Sequence, residues 1–91
     1  MELRWTQEAA GDLELIADYL FELTPDRAER LVRALYEAPA TLLIFPNRGR
    51  LGKKEGTREL VMSPLPYIVV YTVRGDAIYI VRILHGAQQW P

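Results

Sequence analysis

"PYIVVYTVRGDAIYIVRIL", residues 66–84, holds two β-branched, aromatic-rich runs separated by Arg74-Gly75-Asp76. Val, Ile and Tyr pack well on a pleated surface, whereas Gly and Asp suit a two-residue reversal, so the stretch predicts an antiparallel hairpin that turns at Gly75-Asp76. That turn accounts for the Arg-Gly-Asp tripeptide without any adhesion role. Upstream, "TRELVMS" (residues 57–63) is a run of the same kind and predicts another strand, and "ELRW" (residues 2–5) an edge strand.

Before residue 46 the period changes. In "TQEAAGDLELIADYLFEL" (residues 6–23), Leu13, Ile16, Ala17 and Leu20 recur at helical spacing. Thr6 is placed to cap that helix, Glu8 suits its positive start, and the other face reads as acidic. In "TPDRAERLVRALYE" (residues 24–37), Thr24 is the expected cap, Pro25 takes the first helical position, and Ala28, Leu31, Val32 and Leu35 form the apolar row. Asp26 with Arg30, Glu29 with Arg33 and Arg33 with Glu37 are i, i+4 pairs, each worth ~0.3 kcal/mol on an exposed face. Pro39 has no amide to donate and breaks the helix, leaving a short continuation that ends at Pro46. The expectation is one α+β domain over residues 1–91: an N-terminal strand and a helical hairpin packed on one face of a small antiparallel sheet.

Composition agrees with one small core. The chain has 91 residues, 49% hydrophobic and 25% charged, with six Gly and six Pro, which is the profile of a folded domain rather than a disordered segment. A domain of this size buries only about 60–65% of the surface its unfolded chain exposes, so a bound partner adds materially to its stability. With no cysteine and one histidine, thiolate zinc sites, disulfides, thiol nucleophiles and histidine-rich metal centres are excluded within one chain, and no metal or other cofactor is expected. The N-terminus has no basic segment leading into an apolar stretch and no window is long enough to span a membrane, so a cytoplasmic protein is expected. The net charge of −1 hides a split after Phe45: nine carboxylates against four arginines before it (−5), seven cations against three carboxylates after it (+4). The two halves face different partners or each other.

Candidate functional residues lie in the basic half. "RGRLGKKEGTR" (residues 48–58) gathers Arg48, Arg50, Lys53, Lys54 and Arg58 against Glu55 alone. Without interleaved aromatics it reads as a solvated loop that docks acidic protein surface rather than as a nucleic-acid element. Arg58 opens a strand, where it either holds a partner's carboxylate or pairs on the surface. Arg82 falls in phase with Ile78, Ile80 and Leu84, and a cation in such a row must find a partner or cost several kcal/mol; both a structural or partner-binding pair and a contact with another macromolecule are open to it. His85, in phase with Tyr79, Val81 and Ile83, reads as a strand-end residue with a structural hydrogen bond rather than a proton carrier. Ser63 has no identifiable triad partners. Trp90 either anchors a protein contact or covers the sheet.

Together "FPNRGR" (45–50), "GTREL" (56–60), "LPYIVVYTV" (65–73) and "VRILHG" (81–86), in this order after a helical hairpin, resemble the RelE/ParE superfamily, the toxin halves of bacterial type II toxin–antitoxin modules. The resemblance implies a compact domain with a curved antiparallel sheet, a growth-arresting activity, and a cognate antitoxin partner, ParD-like or other. One branch of the superfamily cleaves messenger RNA on the ribosome; the ParE-like branch poisons DNA gyrase. RelE-type nucleases place an arginine directly after the tyrosine of the middle strand and a second cation just after the last strand, with an acid–base tyrosine near the C-terminus. Here Ile68 follows Tyr67, Ala87 follows Gly86, and Trp90 has no hydroxyl to donate. The resemblance therefore implies a ParE-like gyrase inhibitor, not an enzyme, used in plasmid stabilisation. A ribosome-dependent endonuclease is the alternative, for which Arg58, Arg82 and His85 are weak catalytic candidates.

Overall fold

The computed structural model describes residues 1–86 and 88–91. Ala87, one of the two positions weighed for a nuclease cation, lies outside the described residues. In chain order the elements are strand β1 (Glu2–Trp5), helices α1 (Gln7–Leu23) and α2 (Pro25–Glu37), a 3-10 helix (Ala38–Leu43), and strands β2 (Arg50–Leu51), β3 (Arg58–Val61), β4 (Tyr67–Arg74) and β5 (Ala77–His85). Thr6 caps α1 as its sequence position predicts, its hydroxyl accepting from the Ala9 amide at 3.1 Å. Thr24 differs: its hydroxyl donates to Asp26 at 3.2 Å and makes no cap bond, so α2 relies on Pro25 for its start. Arg33 pairs with Glu29. The break at Pro39 is realised as the switch from α2 to the 3-10 helix, with the proline ring buried.

The strands form one sheet in the order β1-β5-β4-β3-β2. The expected antiparallel pairing holds from β2 to β5, and β2 is a two-residue strand drawn from what the sequence marks as loop. Edge strand β1 departs from it: β1 runs parallel to β5, Glu2 opposite Ala77 and Trp5 opposite Ile80. A parallel pair needs a long crossover, and the helical hairpin lies within it. The hairpin turn falls at Gly75-Asp76, where Gly75 has φ +55° and no non-glycine residue among those described has positive φ; glycine at the first central position is the type II′ pattern.

One irregularity matters for the site. Val70 faces Arg82 while Tyr71 faces Ile80, so Val81 is an extra residue in β5. A bulge of this kind resets the alternation of the strand. Ile78 and Ile80 pack with Ala9, Leu42, Val69 and Tyr71 under the helices, and Ile83 packs with Leu35 and Tyr67; Trp5 and Met62 touch both groups. The inward row is therefore Ile78, Ile80, Ile83. Arg82 is not in phase with Ile78 and Ile80, and His85 follows Ile83 rather than Tyr79.

Candidate functional site

Residues 13–23 of α1 contain eight apolar side chains, more than one helical stripe can bury. Leu20 is buried, and the half-buried Leu13 and Ile16 pack against the cluster of Leu35, Tyr67 and Ile83, as expected. Glu8, Glu14, Asp18 and Glu22 are exposed as expected, but the outer face also carries an apolar stripe: Leu15, Tyr19 and Leu23, spaced at i, i+4, i+8, are 71%, 57% and 65% exposed. They form one wall of an apolar groove of about 420 Å³, whose floor and far wall include Leu65, Tyr67 and His85. Tyr67 is buried, which pushes its hydroxyl pKa up from the usual tyrosine value, with a smaller contribution from Tyr19. The His85 ring meets Tyr67 edge-on with centroids 6.0 Å apart. Such a groove, apolar and bordered by a helix, has the chemistry that receives the apolar face of a helix or extended segment.

The candidate cations are not gathered into one centre. Arg82 binds Asp12 on α1 through Nε (2.7 Å) and Nη2 (3.1 Å), and the same carboxylate accepts the Ile83 amide at 2.9 Å. The hydrogen bond from Arg82 to Asp12 raises the guanidinium pKa against the opposing effect of burial. This cluster has a structural origin. Strand β1 ends at Trp5, so beyond Ile80 the edge of β5 is met by α1 instead, with the Thr6 amide and hydroxyl donating to Ile80 O and Val81 O, both at 3.0 Å. Arg58 is half-buried and donates to Gly49 O at 2.8 Å and Asn47 O at 3.4 Å. Arg50 pairs with the buried Glu59 at 2.9 Å. Arg48 donates to Thr41 Oγ1 at 3.0 Å, Lys53 is exposed, and Lys54 stands 5.8 Å over the half-buried Trp90 ring. Trp90 thus lies back against the sheet, beside Thr72 and Val81.

Ile68, where the nuclease branch has its arginine, sits between Val61 on β3 and Leu84 on β5, an apolar row across three strands. No group of three or more His, Cys, Asp or Glu able to hold a metal occurs among the described residues, and none of the described helices is long and apolar enough to cross a membrane.

Comparison with known proteins agrees with this fold. Residues 3–90 match the family described as ParE toxin of type II toxin-antitoxin system, parDE. The chain is 38% identical over 89 residues to "Putative toxin Y4kP" of Sinorhizobium fredii (strain NBRC 101917 / NGR234), covering 98% of this chain and 92% of that protein. It is 40% identical over 84 residues to "Toxin RelE2" of Caulobacter vibrioides (strain ATCC 19089 / CIP 103742 / CB 15), covering 92% and 93%. The solved structure titled "Chromosomal ParDE TA system from P. aeruginosa" superimposes with a TM-score of 0.85 at 32% identity, covering 93% of this chain and 95% of that one. The chain belongs to the ParE toxin family of type II toxin–antitoxin systems.

Proposed function

We propose that this toxin arrests growth by binding and inhibiting DNA gyrase, and that a cognate antitoxin neutralises it by laying an apolar helix or strand into the groove along α1. The observation that carries the binding half of the reading is the exposed Leu15, Tyr19, Leu23 stripe opposite Leu65 and Tyr67, an apolar surface of the kind that monomeric proteins rarely leave bare. A non-catalytic mode is favoured by the apolar Val61, Ile68, Leu84 row and by the separate engagement of Arg58 with loop carbonyls and Arg82 with Asp12. In-line RNA cleavage needs cations aimed together at one phosphate. The toxin acts in the cytoplasm, where gyrase is found, and plasmid or chromosomal addiction is the setting its family suggests.

The second reading, ribosome-dependent cleavage of messenger RNA, is favoured by the 40% identity to a protein named RelE2. One toxin preparation assayed for supercoiling by purified gyrase and for cleavage on translating ribosomes separates the two. Gyrase is expected to be inhibited, antitoxin to restore it, and Ile68→Arg to create no cleavage. Site-specific cuts by the unmodified toxin with normal supercoiling would overturn the gyrase reading.

A further inference from the structure

Between Ala38 and Lys54 the chain has no carboxylate and four cations. In the middle of that segment Leu43, Ile44 and Phe45 are consecutive and exposed, at 38%, 74% and 64%. Three adjacent apolar side chains in water are unfavourable unless something covers them. They are not loose. The Ile44 and Phe45 amides both donate to Thr41 O, and the Arg48 amide to Phe45 O. The fully buried Tyr71 hydroxyl donates to Pro46 O at 2.6 Å and accepts the Gly49 amide at 2.9 Å, while Arg58 holds the Gly49 carbonyl. Gly49 is required for this approach, since a Cβ there would lie 2.7 Å from the Tyr71 ring and 2.9 Å from Glu59 O. A core tyrosine therefore fixes a surface loop that presents Ile44 and Phe45 outward, and presenting a ready-shaped anchor lowers the ordering cost of binding.

Arg48 and Lys53, both exposed, lie in this carboxylate-free segment, and the lining of the hollow around Ile44, Phe45 and Arg48 shares no residue with the groove along α1. We propose that Ile44, Phe45 and Arg48 form a second docking site, which receives an apolar segment flanked by carboxylates on the toxin's protein target. The apolar pair supplies the anchor; Arg48 beside it selects an acidic flank, and the positive charge of the segment speeds encounter. The proposal rests on the reading of this chain as a toxin that acts by binding, and it assigns the antitoxin and the target to different surfaces.

The test compares wild type with Ile44→Ser/Phe45→Ser and, separately, Arg48→Glu, in growth arrest on induction without antitoxin, in inhibition of purified gyrase, and in affinity for the cognate antitoxin. Both variants replace exposed side chains, and circular dichroism checks their folding. The double variant is expected to lose growth arrest, to need at least about tenfold more toxin for half-inhibition of gyrase, and to bind antitoxin within about threefold of wild type; Arg48→Glu is expected to show the same pattern more weakly. If the double variant misfolds, Arg48→Glu alone decides. Folded variants that arrest growth as wild type does overturn the proposal. A parallel loss of antitoxin affinity gives the surface to the antitoxin, and a wild-type dimer that the variants convert to monomer gives it to a second copy; both outcomes overturn it. A wild type that arrests growth yet spares gyrase removes the gyrase reading while the growth comparison still decides the docking site, and a wild type without any arrest overturns both.

Discussion

Asp12 gathers three donors on one carboxylate: two from Arg82 and the Ile83 amide. With side-chain exposures of 26% for Arg82 and 15% for Asp12, the pair is partly screened but mostly out of water. Asp12→Ala strands both the guanidinium and the amide, and the expected loss is about 2–4 kcal/mol, between a charge-assisted hydrogen bond and a buried ion pair broken on one side. Asp12→Asn keeps an acceptor for the amide and is expected to cost less. Urea unfolding of the three proteins checks the order, and equal midpoints would remove the structural role given to Arg82. The sequence asks for a partner for Arg82 by placing it in phase with Ile78, Ile80 and Leu84; the bulge removes it from the Ile78 and Ile80 row, yet the partner is found. Which partner it takes is not legible, since Asp12 lies 70 positions away and is brought there only because β1 stops at Trp5. Tyr71 and loop 46–49 are hidden for the same reason: nothing local in "VVYTV" announces a hydroxyl bonded to Pro46.

Helix α1 presents a second kind of problem, since its apolar residues outnumber what the sheet and α2 can cover. Spacing alone identifies Leu13, Ile16 and Leu20 as inward, and the leftover Leu15, Tyr19 and Leu23 were the available signal for a binding groove. Because these three are already exposed, Leu15→Ser with Tyr19→Ser is expected to change stability by under about 1 kcal/mol, as surface substitutions generally do. Antitoxin affinity is expected to fall at least about a hundredfold, since two anchors of an apolar interface are lost. Calorimetric titration of the variant with antitoxin measures this directly, and an unchanged Kd would place the antitoxin elsewhere. The strands were more readable than the groove. β-Branched runs and the Gly75 turn locate β4 and β5, but a single extra residue at Val81 inverts the faces assigned to Arg82 and His85, and a bulge leaves no mark in composition or period.

At the scale of the whole molecule, the fold class followed from periodicity and the family from motif order, whereas the parallel placement of β1 depends on contacts between opposite ends of the chain. With a small core and an open groove of about 420 Å³, the toxin is expected to gain stability from its antitoxin by mass action, about 2.7 kcal/mol at a hundredfold excess over Kd. Differential scanning calorimetry across an antitoxin titration should show a melting temperature that climbs with concentration; a constant one at saturation would count against a native-state complex. The strand order has a further consequence for when the toxin becomes active. β5 lies between β1 and β4, yet it is made after both, and Glu2 must wait for Ala77 before it has a strand to pair with. Chains still held on the ribosome before residue 77 therefore lack the strand that joins both sides of the sheet, and the sheet closes only once β5 has been made. On the reading proposed above, an antitoxin finds its groove complete only at that point, since His85 at the end of β5 lines it.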